Sequence, residues 1–333
     1  MSMRQNALNE WLTSTQGITG YHLAPLAGDA SFRRYFRLTA SHTNYVVMDA
    51  PPEQENLASW IRISGILEQH GIHTPKIIAM DLKQGFALIE DLGDTLLATN
   101  LTKENTEPRY QAALKTLIQL QQCTTNNPEL PLFNDDHMLK EMQLFNTWFL
   151  KGFLDIELNS RATKQLHELF ATLMKHITAQ PQCLIHRDYH SRNLLILNEQ
   201  HHLEIGVIDF QDAMQGPFTY DLVSLIKDCY LYWPEDTQNA WVTDCYHQLP
   251  NRSGWSLSEY QHGVDWCGLQ RHLKVLGIFS RLHLRDHKST YLKHVPLILH
   301  HMTSCLTRYE PLHSLYDLIE KHVIPTVKQK QPA

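Results

Sequence analysis

The sequence predicts a two-lobed α+β fold, with a β-rich N-terminal lobe over residues 1–92 and a mainly helical lobe over residues 93–333. Three observations carry that reading. Strand-type alternation in short, turn-bounded runs fills residues 21–90. From about Thr102 onward apolar residues recur at helical spacing instead. The helical half is interrupted by one apolar hairpin, residues 194–208, flanked on both sides by polar residues of specific chemical types.

In order along the chain, residues 5–15 read as a short amphipathic helix, and Tyr21–Leu26 and Tyr35–Leu38 as strands around a turn of small residues, Ala27 to Arg34. Tyr45–Asp49 is the next strand, ending at Pro51-Pro52. Glu53–Glu68 carries helical periodicity through Leu57, Trp60, Ile61, Ile66 and Leu67. Gly71 to Lys76 breaks that helix. Two more strands, Ile77–Asp81 and Phe86–Glu90, lead to Asp91-Leu92-Gly93, where a glycine lets the chain turn into the second lobe. Tyr110–Gln122 and Leu139–Phe153 are helical, and only the tail from Lys328 reads as disordered.

The informative segment reads His186-Arg187-Asp188-Tyr189-His190-Ser191-Arg192-Asn193. After the hairpin comes Ile208-Asp209-Phe210-Gln211, with Asp209 sixteen positions past Asn193. Phosphoryl transfer from ATP asks a protein mainly for position and charge neutralisation: one carboxylate to take the acceptor hydroxyl's proton, and oxygen ligands for magnesium. Asp188 suits the first task. Asn193, five residues on, and Asp209 suit the second, since a hairpin over 194–208 returns Asp209 to the same end as Asn193. In such a lobe the 27–34 turn lies over the phosphates, with Gly28, Ala30 and Ser31 permitting close backbone approach. The backbone of Glu90 to Leu92 then meets the adenine edge.

Composition excludes several other classes. The formal charge is −6 and no run of five Lys/Arg occurs, which argues against a nucleic-acid partner. Six scattered cysteines without a Cys-x-x-Cys fit a reducing cytoplasm better than a disulfide framework. The 21 histidines are dispersed and form no zinc-ligand pattern. Residues 1–20 lack the apolar core of a signal peptide, and no apolar stretch approaches the ~20 residues of a membrane helix. A cytoplasmic protein, away from membranes, is expected.

The details of the motif resemble the aminoglycoside phosphotransferase and choline kinase superfamily, which has a protein-kinase-like fold, rather than the protein kinases themselves. Asp209-Phe210-Gln211 lacks the glycine of Asp-Phe-Gly, and Gly216-Pro217-Phe218-Thr219-Tyr220-Asp221-Leu222 is similar to that family's Gly-x-Pro-x-x-Asp-Leu segment. The short path to Asp221 leaves little room for an activation loop and favours a small-molecule acceptor. Within the superfamily, residues 28–37, 48–52, 188–194, 208–213 and 270–277 look most like the bacterial anomeric kinases of N-acetylmuramate and N-acetylglucosamine used in cell-wall recycling.

That resemblance implies ATP as co-substrate, Mg²⁺ as cofactor and a small-molecule hydroxyl as acceptor, with the oligomeric state left open. It implies His186 and Asp221 as braces of the catalytic loop. An aminoglycoside, choline or other metabolite kinase is the alternative, as is a catalytically silent nucleotide-binding regulator. The last arises because Met48 stands where a kinase lysine would contact phosphate and no Lys occurs before Lys76; Arg33, Arg34 or Arg37 is then the replacement cation, with Arg33 and Arg37 on one face.

For the acceptor, residues 230–333 hold eleven Lys/Arg against nine Asp/Glu, which does not suit a polycationic antibiotic. Trp266, Arg271 and Lys274, on one long helical segment with Gly268 and Gly277 for close packing, suit a sugar bearing a carboxylate. The same segment also reads as an ordinary packed helix with a charged outer face. Asp212 is either an acceptor or second-metal ligand or a helix cap.

Overall fold

The computed structural model describes residues 3–26, 32–40, 43–123, 130–198 and 203–330. It divides into two compact units. The first comprises residues 1–100 with 193–212, the second 101–192 with 213–333. The boundary expected at 92/93 therefore moves to 100, and the 194–208 hairpin joins the first unit. Backbone bonding is the reason: the Ile196 N–H donates to the Thr95 carbonyl (2.8 Å) and the Val207 N–H to that of His73 (2.9 Å).

In the first unit, helix α1 (Met3–Glu10) runs into a π-helical turn, Trp11–Thr15. Five antiparallel strands follow, β1 (Tyr21–Pro25), β2 (Arg34–Ala40), β3 (Thr43–Asp49), β4 (Ile77–Asp81) and β5 (Phe86–Glu90), in the order β1-β2-β3-β5-β4. Alternation assigns the faces. Val47 joins Leu38, Phe86 and Leu88 in a core with Leu8, Trp11 and Leu12, whereas Val46 lines a cavity. Met48 has Tyr35 and Ala87 as register partners and is fully buried.

Helix α2 (Leu57–Gln69) starts later than the sequence predicts. Asn56 caps it by accepting the Ser59 N–H at 3.1 Å, a device that typically contributes about 1 kcal/mol. The hairpin is β7 (Leu194–Leu197) with β8 (Glu204–Val207).

The second unit is built on helix α8 (Leu257–Leu284), which opens with a capping box from Ser256 and Glu259. Packed on it are α4 (Asp135–Leu144) with its π-helical continuation Phe145–Phe153, α5 (Ser160–Thr178), α6 (Tyr220–Ile226) and α9 (Val295–Leu306). Residues 263–277 of α8 are all buried, so the charged outer face expected of this segment does not exist. His272 is enclosed against the Lys227 carbonyl (3.2 Å) and the His301 ring.

Around this core lie α3 (Thr106–Gln121), α7 (Glu235–Gln248), α10 (His313–Leu318) and α11 (Ile324–Lys330). The last, with Val327 buried, carries helix to Lys330, into the tail from Lys328 where disorder was expected. A second ribbon, β6 (Gln182–Ile185) with β9 (Met214–Pro217), is absent from the sequence reading. No helix among the described residues is long and apolar enough to cross a membrane.

Gly268 and Gly277 of α8 differ in what they permit. A Cβ on Gly277 would lie 2.5 Å from the Leu144 carbonyl carbon and 2.7 Å from its oxygen, whereas one on Gly268 would meet nothing nearer than Val223 at 3.6 Å. Of these two, close packing thus requires glycine only at 277. Gly277→Ala is expected to destabilise the protein by about 1–3 kcal/mol as α8 and α4 are forced apart. Gly268→Ala should be neutral or slightly stabilising, because alanine is the better helix former; urea denaturation of the two variants reads the difference.

Candidate active site

One part of the site lies within the first unit. A cavity of about 330 Å³ has apolar walls that include Leu26, Val46, Ile89 and Leu195, and Asn193 and Asp209 line it too. The hairpin brings these last two together: the Ile208 N–H donates to the Asn193 carbonyl (3.1 Å), and the Asn193 Nδ2 lies 3.4 Å from the Asp209 Oδ2. Asp209 adopts a left-handed φ of 65°, and its Oδ1 accepts from the Gln211 amide at 2.9 Å. Phe210 packs on Trp60 of α2 with ring centroids 5.1 Å apart.

Both side chains offer hard oxygen donors. Among the described residues no group of three or more His, Cys, Asp or Glu is arranged to hold a metal ion. A carboxylate and a carboxamide form the partial ligand set that suits Mg²⁺, which completes its shell with phosphate oxygens and water.

Glu90 and Leu92 line the same cavity. The Glu90 N–H is committed to the Lys76 carbonyl (2.9 Å) and that of Gly93 to the Asp91 carboxylate (2.9 Å). Gly28, Ala30 and Ser31 lie outside the described residues.

The three hairpin arginines separate as alternation requires. Arg34 pairs with the buried Asp49, which also accepts from Arg4 at 2.7 Å. Arg37 is held by both Asp91 and Asp94 at 2.6 Å. Arg33 pairs with Glu55 at 2.9 Å and sits beside Tyr35, whose phenol is pushed up to about 12 chiefly by burial, with Arg33 pulling it down and Asp209 pushing it further up. Asp212 is exposed in a turn, 3.4 Å from the Gln211 amide. No helix begins there, so the helix-cap reading is wrong; β9 follows instead.

The second unit carries the loop from His186 to Arg192. Buried Asp221, at the start of α6, accepts the N–H groups of His186 (2.6 Å) and Arg187 (3.0 Å). Burial raises its carboxyl to about 7, against the pull of those two N–H groups. The grip leaves Arg187 at a left-handed φ of 76°. His186 Nδ1 accepts the Asp188 N–H (3.2 Å), which places the imidazole proton on Nε2. Farther on, Tyr189 donates its hydroxyl to the Ala113 carbonyl (2.8 Å), and Asp228 accepts both the N–H (3.0 Å) and hydroxyl (2.5 Å) of Ser191.

Behind Asp188 lies a charged cluster. Glu141 of α4 accepts from Arg187 (2.6 Å), Gln270 (2.9 Å) and Lys274 (3.2 Å). Arg271 donates to the Arg187 carbonyl at 2.5 Å and reaches the Asp188 carboxylate at 3.5 Å. Burial pushes the Asp188 carboxyl up, but Lys274, Arg271, His190 and Arg187 together outweigh it and hold the group well below the usual carboxylate range. Its side chain is nonetheless 41% exposed, so the carboxylate is open on one side.

Arg271 and Lys274 thus meet the loop, as internal partners of it. Trp266 does not join them: it is buried in a stack on His176 (4.2 Å) and against Tyr309. The ring beside the cations is Tyr220, 5.6 Å from the Arg271 guanidinium and 3.4 Å from the Lys274 ammonium through its hydroxyl. Sequence reasoning missed Glu141, Asp228 and Tyr220. Of these, only Tyr220 had a local cue, its place beside Asp221.

A model of the phosphotransferase enzyme family matches residues 22–255. An N-acetylmuramate/N-acetylglucosamine kinase of Pseudomonas aeruginosa is 36% identical over 302 residues, covering 89% of this chain and 87% of that protein. One of Neisseria meningitidis serogroup B is 34% identical over 328 residues, 95% of each chain. Among solved structures, choline kinase LicA from Streptococcus pneumoniae has the same fold, with a TM-score of 0.65 at 11% identity over 91% of this chain and 100% of that one. The chain belongs to the phosphotransferase enzyme family and is a small-molecule kinase.

Proposed function

We propose that this kinase transfers the γ-phosphoryl group of ATP to the anomeric hydroxyl of N-acetylmuramate or N-acetylglucosamine. The observation that carries the reading is the open carboxylate of Asp188 on a loop fixed from behind by Asp221, Arg271 and Asp228, together with two relatives of that name matched over most of their length.

Asp188 accepts the hydrogen bond of the acceptor hydroxyl and aims its oxygen at phosphorus. As the new oxygen–phosphorus bond forms, the bond to the leaving oxygen of ADP breaks, and the hydroxyl proton passes to Asp188 and from there to water. A carboxylate held ionised by Lys274 and Arg271 is a weak base, which suits a loose transition state in which positioning outweighs early deprotonation. Asn193 and Asp209 would hold Mg²⁺, which when bound neutralises charge on the phosphate oxygens. Arg33, anchored by Glu55, adds positive charge in place of the lysine missing at Met48. Leu92 offers its backbone to the purine.

Asp188→Asn should lower kcat by about 10²–10⁴-fold with little change in melting temperature. Turnover of kanamycin or choline alone in a panel with the two sugars would overturn the acceptor assignment. Arg33→Ala should raise the KM for ATP, and Arg33→Lys should recover part of the loss.

The pH profile offers a separate check. Because the Asp221 carboxyl is raised above its ordinary value, the folded protein takes up a proton there as pH falls through about 7, and one of the two loop N–H groups then loses its charged acceptor. The acid limb of kcat is expected near pH 7. Asp188 cannot produce it, being ionised far below that pH. Asp221→Asn should be slow at every pH and lack the limb, because its amide NH₂ confronts an N–H donor; pH–rate profiles of both proteins decide the point.

A further inference from the structure

Between the open carboxylate of Asp188 and Asn193 the chain presents an exposed arginine, Arg192. Its guanidinium lies flat on the Tyr230 ring, 3.6 Å from the centroid. Tyr230 is itself fixed. Its N–H donates to Asp228 Oδ1 (2.8 Å) while Oδ2 of the same carboxylate holds Ser191, so Asp228 locks both the arginine's neighbour and the ring beneath it. His190 and His294 close the edges of that ring at 5.3 and 5.0 Å. The patch is continuous with the catalytic loop, since the His190 N–H donates to the Asp188 carbonyl at 2.9 Å.

Stacking occupies the face of a guanidinium and leaves its in-plane N–H edge available, the geometry that receives a carboxylate through two parallel bonds. Among the described residues no carboxylate lies within ion-pair distance of Arg192, although Arg187, Arg271 and Lys274 beside the same loop are all paired internally. Burial, then the charges of Arg192 and Lys293, lower the pKa of His294 to about 4 and keep it neutral, so it supplies no competing cation. The two sugars named for the relatives differ by one group: N-acetylmuramate carries a lactyl carboxylate that N-acetylglucosamine lacks.

We infer that Arg192, held flat on Tyr230, selects acceptors that carry a carboxylate, its guanidinium edge binding that group while Asp188 receives the hydroxyl. This rests on the sugar-kinase reading above. All four partners of the patch, Tyr230, His190, His294 and Asp228, belong to the second unit with Asp188, whereas Asn193, Asp209 and Arg33 belong to the first. That grouping favours the acceptor over the nucleotide as the ligand of Arg192.

The test compares kcat and KM for N-acetylmuramate, N-acetylglucosamine and ATP in the wild type, Arg192→Gln and Arg192→Lys. The ratio of kcat/KM for N-acetylmuramate to that for N-acetylglucosamine should fall roughly 10- to 100-fold in Arg192→Gln, the effect of losing a charge-assisted bidentate contact. The loss should appear in the KM for N-acetylmuramate, and Arg192→Lys should restore part of it. An equal loss on both sugars, or a rise confined to the KM for ATP, would overturn the inference and mark Arg192 as a loop brace or phosphate contact. A wild type that uses N-acetylglucosamine but not N-acetylmuramate would overturn it alone. A wild type that uses neither sugar would overturn the sugar-kinase reading and this inference with it.

Discussion

The carboxylate of Asp221 fixes the geometry on which the catalytic loop depends. By accepting two consecutive N–H groups it turns the chain at Arg187 into the left-handed region, a conformation that costs a non-glycine residue about 1 kcal/mol or more. The turn aims the Arg187 side chain at Glu141 and leaves its carbonyl to Arg271. With the Asp188 N–H taken by His186, the direction of the Asp188 side chain follows from bonds made entirely by its neighbours. An acid this deeply enclosed tolerates ionisation only because both of its oxygens are occupied.

A second constraint follows from where α8 lies. A helix buried on every side does not ordinarily carry Arg271 and Lys274 in its middle, because withdrawing each cation from water costs several kcal/mol. Here Glu141, Asp188, the Arg187 carbonyl and the Tyr220 hydroxyl surround them. Such a cluster is a poor source of net stability. Its value is positional, since each charge has one arrangement that satisfies it and that arrangement includes the loop. Gly277 belongs to the same design, letting α4 approach α8 closely enough for Glu141 to reach Lys274.

What the sequence made legible was whatever is local in the chain. Asp188, Asn193, Asp209 and Asp221 announce themselves through spacing, and the strands and helices that carry them follow from alternation and periodicity. Glu141 lies 46 residues from its partner Arg187, and Asp228 lies 37 from Ser191; only tertiary folding unites them. The β6–β9 ribbon was hidden for another reason. Met214-Gln-Gly-Pro has no strand signature, and its pairing with Gln182–Ile185 is imposed by tight packing, in which a Cβ on Gly216 would lie 3.2 Å from Phe133 and closer still to Ile185. Trp266 misled because an aromatic near cations in sequence need not face them in a helix, and here it found His176 instead.

Met48 now has a physical account. The position is sealed between Tyr35 and Ala87 on β3, and a lysine there would need a buried carboxylate to offset the loss of water from its ammonium. Glu55, which acts on the Tyr35 phenol opposite Met48, is bonded to Arg33 and to the Phe32 N–H. On the proposal that Arg33 supplies the missing charge, the cation sits just before β2, where a planar guanidinium keeps its anchor on Glu55. Because arginine stays protonated in any such environment, a cation placed this way tolerates changes in local burial that would neutralise a lysine. On that proposal the exchange preserves a fixed cation and its carboxylate, Arg33 and Glu55, and alters only the route by which the chain supplies them.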